Sequence, residues 1–111
     1  MGQDPLLVPK TRREELQDIL QAIVGSENNV YFQPPSDITM TYPCIVYKRN
    51  YAKTEHADND LYSRVKRYQL QVISRDPDSG IPDLVAKLPM CSFDRFYIAD
   101  NLNHDVFNLY F

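Results

Sequence analysis

Apolar residues recur at helical spacing in the first quarter of the chain. They are Leu16, Ile19, Leu20, Ile23 and Val24. Positions i, i+3, i+4, i+7 and i+8 form one stripe of an amphipathic helix. Thr11 and Glu14 have the spacing of a capping box, and Gly25 can adopt the left-handed conformation that ends many helices. The pattern predicts a helix over residues 12–24.

Short apolar or alternating runs predict five strands. They cover residues 30–33, 44–48, 61–74, 92–99 and 104–111. The third run alternates most clearly, because Tyr68, Leu70 and Val72 fall on one face and glutamines lie between them. A second, shorter helix is predicted over residues 81–88, and Asx residues favour a turn at 100–103.

The order of these elements predicts the fold class. Helix, three strands, helix and two strands (α-β-β-β-α-β-β) imply an α+β domain with a mostly antiparallel sheet and the helices packed on one face. Residues 1–11 contain Pro5 and Pro9 and are predicted to form an N-terminal arm. Residues 12–111 are predicted to form a single domain, since 111 residues lie in the usual range for one.

Composition and charge exclude several classes of function. The net charge is −3 and neither half of the chain is basic, which argues against binding of nucleic-acid backbone. No apolar run approaches the ~20 residues of a membrane span, and the first ten residues lack the pattern of a signal peptide, so a cytosolic product is expected. Eight Tyr and five Phe favour sheet structure and protein interfaces.

The sequence offers little catalytic chemistry. Its three glycines are dispersed, which excludes a phosphate-binding glycine loop. His56, Asp58 and Asp60 could ligate a metal if the segment were extended, but an ordinary solvated loop is the favoured reading because nothing nearby supplies supporting ligands. A small metal-dependent enzyme is therefore a distant alternative. We expect no enzyme activity, no cofactor and no resident metal.

Two further groups of potentially reactive residues are also interpreted as structural rather than catalytic. His104 and Asp105 are neighbours in a predicted strand, so their side chains should point to opposite faces and cannot form a catalytic pair. Cys44 and Cys91 are far apart in sequence and are expected to be reduced and buried.

The long polar segment around residues 49–60 is the best candidate for an interaction site, because long connections in small domains are usually functional or mobile. An acidic run is followed closely by a basic one, and the two could pair within the chain or between neighbouring copies. The candidate interface residues are Lys53, Glu55, His56, Asp58, Asp60, Arg64, Lys66 and Arg67.

Several sequence blocks carry a resemblance to a known family. They are Val30–Pro35 (VYFQPP), Tyr42–Tyr47 (YPCIVY), His56–Asn59 (HADN), Arg67–Pro77 (RYQLQVISRDP), Leu88–Phe96 (LPMCSFDRF) and Asn101–Phe107 (NLNHDVF). Together they resemble the tail terminator, or tail completion (minor tail), proteins of long-tailed, non-contractile phages. The resemblance covers residues 12–111.

This resemblance implies a structural virion protein without catalytic residues. Such proteins form a ring, expected to be a hexamer, that caps the tail tube on one face and meets a head-completion neck protein on the other. DNA would pass through the central channel without specific binding, and no membrane is involved. The expected location is the head-proximal end of the tail in the virion, and the host cytoplasm during assembly. A head–tail adaptor or head-closure neck subunit is the alternative.

Overall fold

The computed structural model describes residues 10–50 and 65–111. The elements are α1 (Arg12–Val24), β1 (Val30–Phe32), β2 (Cys44–Arg49), β3 (Arg67–Ser74), α2 (Ile81–Ala86), β4 (Cys91–Ala99) and β5 (Leu102–Tyr110). The predicted α+β class is confirmed: the sheet is mostly antiparallel and carries two helices. Residues 1–9 of the predicted arm lie outside the described residues, and Thr11 belongs to the cap of α1.

Helix α1 has the predicted bounds and caps. The Thr11 hydroxyl accepts a hydrogen bond from the Glu14 backbone N–H at 3.1 Å, and the Glu14 carboxylate accepts one from the Thr11 N–H at 2.9 Å. Gly25 ends the helix with φ at 86°, a conformation that costs glycine no steric penalty. Leu16 and Leu20 are fully buried, so the apolar face of α1 packs on the core.

The five strands form one sheet in the order β1-β2-β3-β5-β4. β1 pairs with β2 in parallel, and every other neighbouring pair is antiparallel. β5 lies between β3 and β4 because the β4–β5 hairpin joins the sheet through its second strand. The sheet therefore has two unequal edges: β1 has three residues and β4 has nine.

The core lies between the two helices and one face of the sheet. Leu70 on the central strand β3 lies opposite Tyr47 on β2 and Phe107 on β5. These side chains cluster with Leu16 of α1 and Val85 of α2. Burial of such side chains contributes roughly 1.5–3 kcal/mol each, so this cluster is the main source of stability.

Several strand ends differ from the prediction by one or two residues, and the β4–β5 turn and the end of α2 differ for identifiable reasons. The turn between β4 and β5 has two residues rather than the predicted four: Asp100 and Asn101, with φ of 54° and 62°. Two successive positive φ values match the tight turn whose twist fits an antiparallel hairpin, so both strands extend closer to the turn. Helix α2 ends at Ala86 instead of residue 88, since the Lys87 and Leu88 N–H groups bond to carbonyls three residues back.

The third predicted strand is shorter within the described residues. β3 begins at Arg67, whereas the prediction placed its start at residue 61. Residues 61–64 lie outside the described part, and Val65 and Lys66 precede the strand. Lys66 is nevertheless held beside Phe111, because its N–H donates to the Phe111 carbonyl at 3.2 Å and its carbonyl accepts from the Phe111 N–H at 2.9 Å.

Candidate interaction surfaces

Most of the predicted interface lies outside the described residues. This applies to Lys53, Glu55, His56, Asp58, Asp60 and Arg64. Lys66 and Arg67 are described and are both half-buried. Arg67 starts β3 opposite Tyr110 on β5. For the acidic and basic runs of this segment, pairing within the chain and pairing between copies both remain open predictions.

Lys66 belongs to a basic surface that the sequence did not reveal. It lines a cavity of about 270 Å³ together with Arg12 and Arg13 from the start of α1 and Arg49 from the end of β2. We call these four residues the basic cluster. Phe32 and Tyr68 supply apolar walls to the same cavity. The four cations come from three separate parts of the chain, so no local charge run marks them.

Hydrogen bonds and aromatic rings hold the two arginines of α1 in place. Arg13 Nη1 donates to the Tyr47 hydroxyl at 3.3 Å, and the Tyr47 hydroxyl donates to Gln17 Oε1 at 2.5 Å. The Arg13 guanidinium lies 4.7 Å from the centre of the Phe32 ring. Burial raises the pKa of Tyr47, so its hydroxyl stays protonated and uncharged.

Among the residues that the structure describes, nearby carboxylates offset only part of this charge. Glu15 pairs with Arg12 at 3.2 Å, and the Glu14 side chain caps α1. The N-terminus of α1 adds partial positive charge from its free backbone N–H groups. The cavity is therefore an electropositive concavity with two aromatic walls.

The second surface is an apolar stripe on β4. Its members are Phe93, Phe96 and Ile98, which are 57%, 49% and 65% exposed. The face they share is set by a β-bulge at Asp94: Phe93 lies opposite Phe107, and Phe96 lies opposite Asp105, two residues away on β5. In a regular strand, positions 93 and 96 would point to opposite faces. The bulge brings them together.

The apolar stripe is on the helix side of the sheet but is left uncovered by the helices. Phe93 touches the core through an edge-on contact with Phe107, with ring centroids 5.5 Å apart. Leu84 of α2 and Met90 before β4 add further exposed apolar surface, at 46% and 69%. Clustered exposed apolar groups of this kind typically mark a protein contact site.

The edge of β4 carries features that discourage open-ended strand pairing. The bulge interrupts its hydrogen-bonding pattern, and Arg95 forms an ion pair with Asp94 at 2.7 Å in the middle of the strand. Bulges and charges are common protections of exposed edges. A partner is therefore expected to contact the side-chain face of the stripe rather than to extend the sheet.

A second cavity offers little chemistry among the residues that the structure describes. It is a groove of about 290 Å³ with mainly apolar walls, including Leu16, Ile19, Leu88 and Phe111. Arg12 is the one charged residue among its walls, and its guanidinium packs on the Phe111 ring at 4.1 Å. A small-molecule site normally has several convergent polar groups that orient the ligand. This groove does not have them.

His104 and Asp105 are neighbours on β5 with different surroundings. His104 stacks on Tyr97 with ring centroids 4.5 Å apart, and its Nδ1 lies 3.2 Å from Gln71 Oε1. Burial lowers the pKa of His104, which favours the neutral ring. Asp105 faces the helix side, where burial and the nearby Asp83 carboxylate raise its pKa. The two side chains point to opposite faces of the sheet, as predicted.

The cysteines are both free, as predicted, but only Cys44 is fully buried; Cys91 is half-buried at the start of β4. Burial raises the pKa of the Cys44 thiol to about 12 and also raises that of Cys91. Because the thiolate is the reactive form, both thiols should react slowly in the folded protein, and Cys44 more slowly.

We therefore expect one thiol, Cys91, to react with a disulfide reagent in the native protein at pH 8. With a pKa of about 12, roughly one Cys44 side chain in 10⁴ is thiolate at that pH. Cys44 should react only after unfolding. Thiol titration over time checks this, with the protein in urea as the control that releases both cysteines. Two rapid equivalents in native buffer would contradict the expectation.

Within residues 10–50 and 65–111, no three His, Cys, Asp or Glu side chains are grouped so that they could hold a metal ion. The trio His56, Asp58 and Asp60 lies outside those ranges, so its metal hypothesis is untested. Neither of the described helices is long and apolar enough to cross a membrane. Comparison of the chain with protein-family models, curated proteins and solved structures found no match.

Proposed function

We propose that this protein is a structural subunit of a long-tailed phage virion, a tail terminator that forms a ring at the head-proximal end of the tail tube. The proposal rests on the sequence blocks that resemble this family, and the apolar stripe is the structural observation that supports it most directly. A ring subunit needs a surface that is exposed in the free chain and buried in the assembly. Phe93, Phe96 and Ile98 provide such a surface.

The stripe favours a protein as the partner. The stripe is a row of exposed aromatic and aliphatic side chains on an outer strand, and exposed Phe is typical of interface cores. Interfaces of this kind gain affinity from a few buried aromatic anchors. In the proposed ring, the neighbouring copy covers the stripe.

Assembly of the purified protein tests the proposal. Native mass spectrometry and light scattering should find a closed ring of about six copies, and labelled virions should carry it where the tail meets the neck. A chain that stays monomeric at high concentration and is absent from tails would refute the proposal.

The phenotype of a gene deletion distinguishes the terminator from its nearest alternative. Loss of a terminator should produce tails of irregular length, because the tube is no longer capped at its full length. Tails of normal length together with heads that leak DNA would instead assign the protein to head closure.

A further inference from the structure

The described charges are distributed unevenly between the two ends of the sheet. One end carries the basic cluster, where β2 ends at Arg49 and β3 begins at Arg67. The opposite end carries four exposed carboxylates, which we call the acidic end: Asp76, Asp78, Asp83 and Asp100. The eight residues of β3 separate the two ends by roughly 25 Å.

The position of each carboxylate follows from the strand pairing. Ser74, the last residue of β3, lies opposite Asn103, which places the turn at Asp100 beside the turn at Asp76. Asp83 lies on the helix side at the same end, because it is in the first turn of α2, a few residues after the turn at Asp76. Arg75 is the basic exception there, and its guanidinium lies 5.4 Å from the Tyr42 ring.

The two charged surfaces also lie toward opposite edges of the sheet. Phe32 in β1 and Arg49 in β2 line the basic cavity, and these two strands lie four and three positions from β4 in the sheet. Asp100 directly follows β4, and Phe96 lies opposite Asp105 on the helix side. The apolar stripe and the carboxylates therefore occupy one side of the molecule, and the basic cavity with its aromatic walls occupies the other.

We infer that copies of this chain associate head to tail, with the apolar stripe and acidic end of one copy against the basic cluster of the next. Each surface of this contact matches the other in chemistry. Apolar side chains of the stripe meet a cavity walled by Phe32 and Tyr68, and carboxylates meet the cations on its rim. Apolar burial supplies most of the affinity, and opposite charges set the orientation and the rate of encounter.

The arrangement of charges also disfavours the simplest two-fold dimer. A two-fold axis along β4 would join stripe to stripe and give neither basic cluster an acidic partner surface from the other copy. Contacts between two like-charged ends would be repulsive. A contact between unlike surfaces is heterologous, and a heterologous contact produces a ring when its rotation closes. The inference thus rests on the proposed self-association and specifies which surfaces form it.

A charge-swap experiment on the full-length chain tests this inference. One variant carries Arg49→Glu with Lys66→Glu, and the other carries Asp78→Lys with Asp83→Lys. Asp76 is kept because its Oδ1 accepts a hydrogen bond from the Asp78 N–H that holds the turn. For each variant alone, the association constant should fall at least tenfold, since one side of every contact becomes repulsive. An equimolar mixture should recover assemblies larger than a dimer, because the reversed surfaces complement each other.

The matched control is Lys48→Glu with Ser36→Glu and Thr39→Glu, the same change of net charge as in the first variant at three exposed positions outside both surfaces. It should assemble like the unmodified chain. Association of the unmodified chain should weaken as NaCl rises from low to high concentration, because salt screens exposed charges beyond roughly 10 Å at 0.1 M.

Each remaining outcome overturns a defined part of the inference. Assembly that persists in both charge variants would refute the head-to-tail contact while leaving self-association intact. If the mixture recovers only dimers, the head-to-tail contact is wrong and the two copies form a closed pair instead. Duplex DNA binding that is lost with Arg49→Glu and Lys66→Glu, without a change in assembly, would assign the basic cluster to DNA. An unmodified chain that never associates would refute the proposed function as well.

Discussion

Replacement of Leu70 by alanine is expected to lower the free energy of unfolding by about 3 kcal/mol, a large part of the roughly 5–15 kcal/mol that stabilises a domain. Leu70 is fully buried on the central strand, between Tyr47 and Phe107 on the neighbouring strands. Its removal leaves a cavity that is walled by two strands and the helix layer, and such a site cannot collapse easily. Urea unfolding followed by circular dichroism measures the loss.

Leu84→Ala is the matched control for this prediction. The same atoms are removed from α2, but Leu84 is 46% exposed, so the expected loss is below about 1 kcal/mol. At a denaturant slope of about 1.5 kcal/mol/M, Leu70→Ala should lower the urea midpoint by about 2 M, and the control should lower it by less than about 0.7 M. Equal losses for the two variants would show that the helix side of β3 is not the centre of the core.

The second large effect is expected on assembly rather than on stability. Phe96→Thr combined with Ile98→Thr should weaken association roughly a hundredfold per contact, because two exposed apolar anchors worth about 1–2 kcal/mol each are lost. Threonine is chosen because it keeps a branched side chain that suits a strand. Phe93 is left in place, since it packs on Phe107 and its loss would disturb the core. Analytical ultracentrifugation over a concentration series measures the change.

Ile38→Thr serves as the control, because Ile38 is also exposed but lies in the connection between β1 and β2. It should leave association unchanged. The stripe variant should still unfold at nearly the urea concentration of the unmodified chain, since both replaced residues are half exposed or more. Normal assembly by the stripe variant would remove the stripe from the interface, and the proposed function would lose its main structural support.

Local signals identified most of the elements. The capping box at Thr11, the apolar periodicity after it and Gly25 determine α1 by interactions within a few residues, so its predicted bounds agree with the structure. The alternation of Tyr68, Leu70 and Val72 likewise identified the helix side of β3. Turn length was harder to predict, because Asp100 and Asn101 adopt positive φ only in the context of the closed hairpin.

The two interaction surfaces depended on tertiary structure. The stripe could not be seen in the sequence, because residues 93 and 96 share a face only through the bulge at Asp94. The predicted basic run at 64–67 contained one member of the basic cluster, Lys66, while its other members lie in α1 and β2. A charge pattern read along the chain finds only neighbours in sequence.

The sequence by itself determined most of the helices and strands, since caps and periodicity act locally, and its dispersed glycines exclude a phosphate-binding glycine loop. It also carried the family resemblance on which the proposed ring depends. Tertiary structure alone decided that β5 pairs between β3 and β4, that nine residues of β4 form an outer edge, and that the basic cluster and the four aspartates of the acidic end lie at opposite ends of β3. These features arise from pairing between distant strands, which no local pattern encodes.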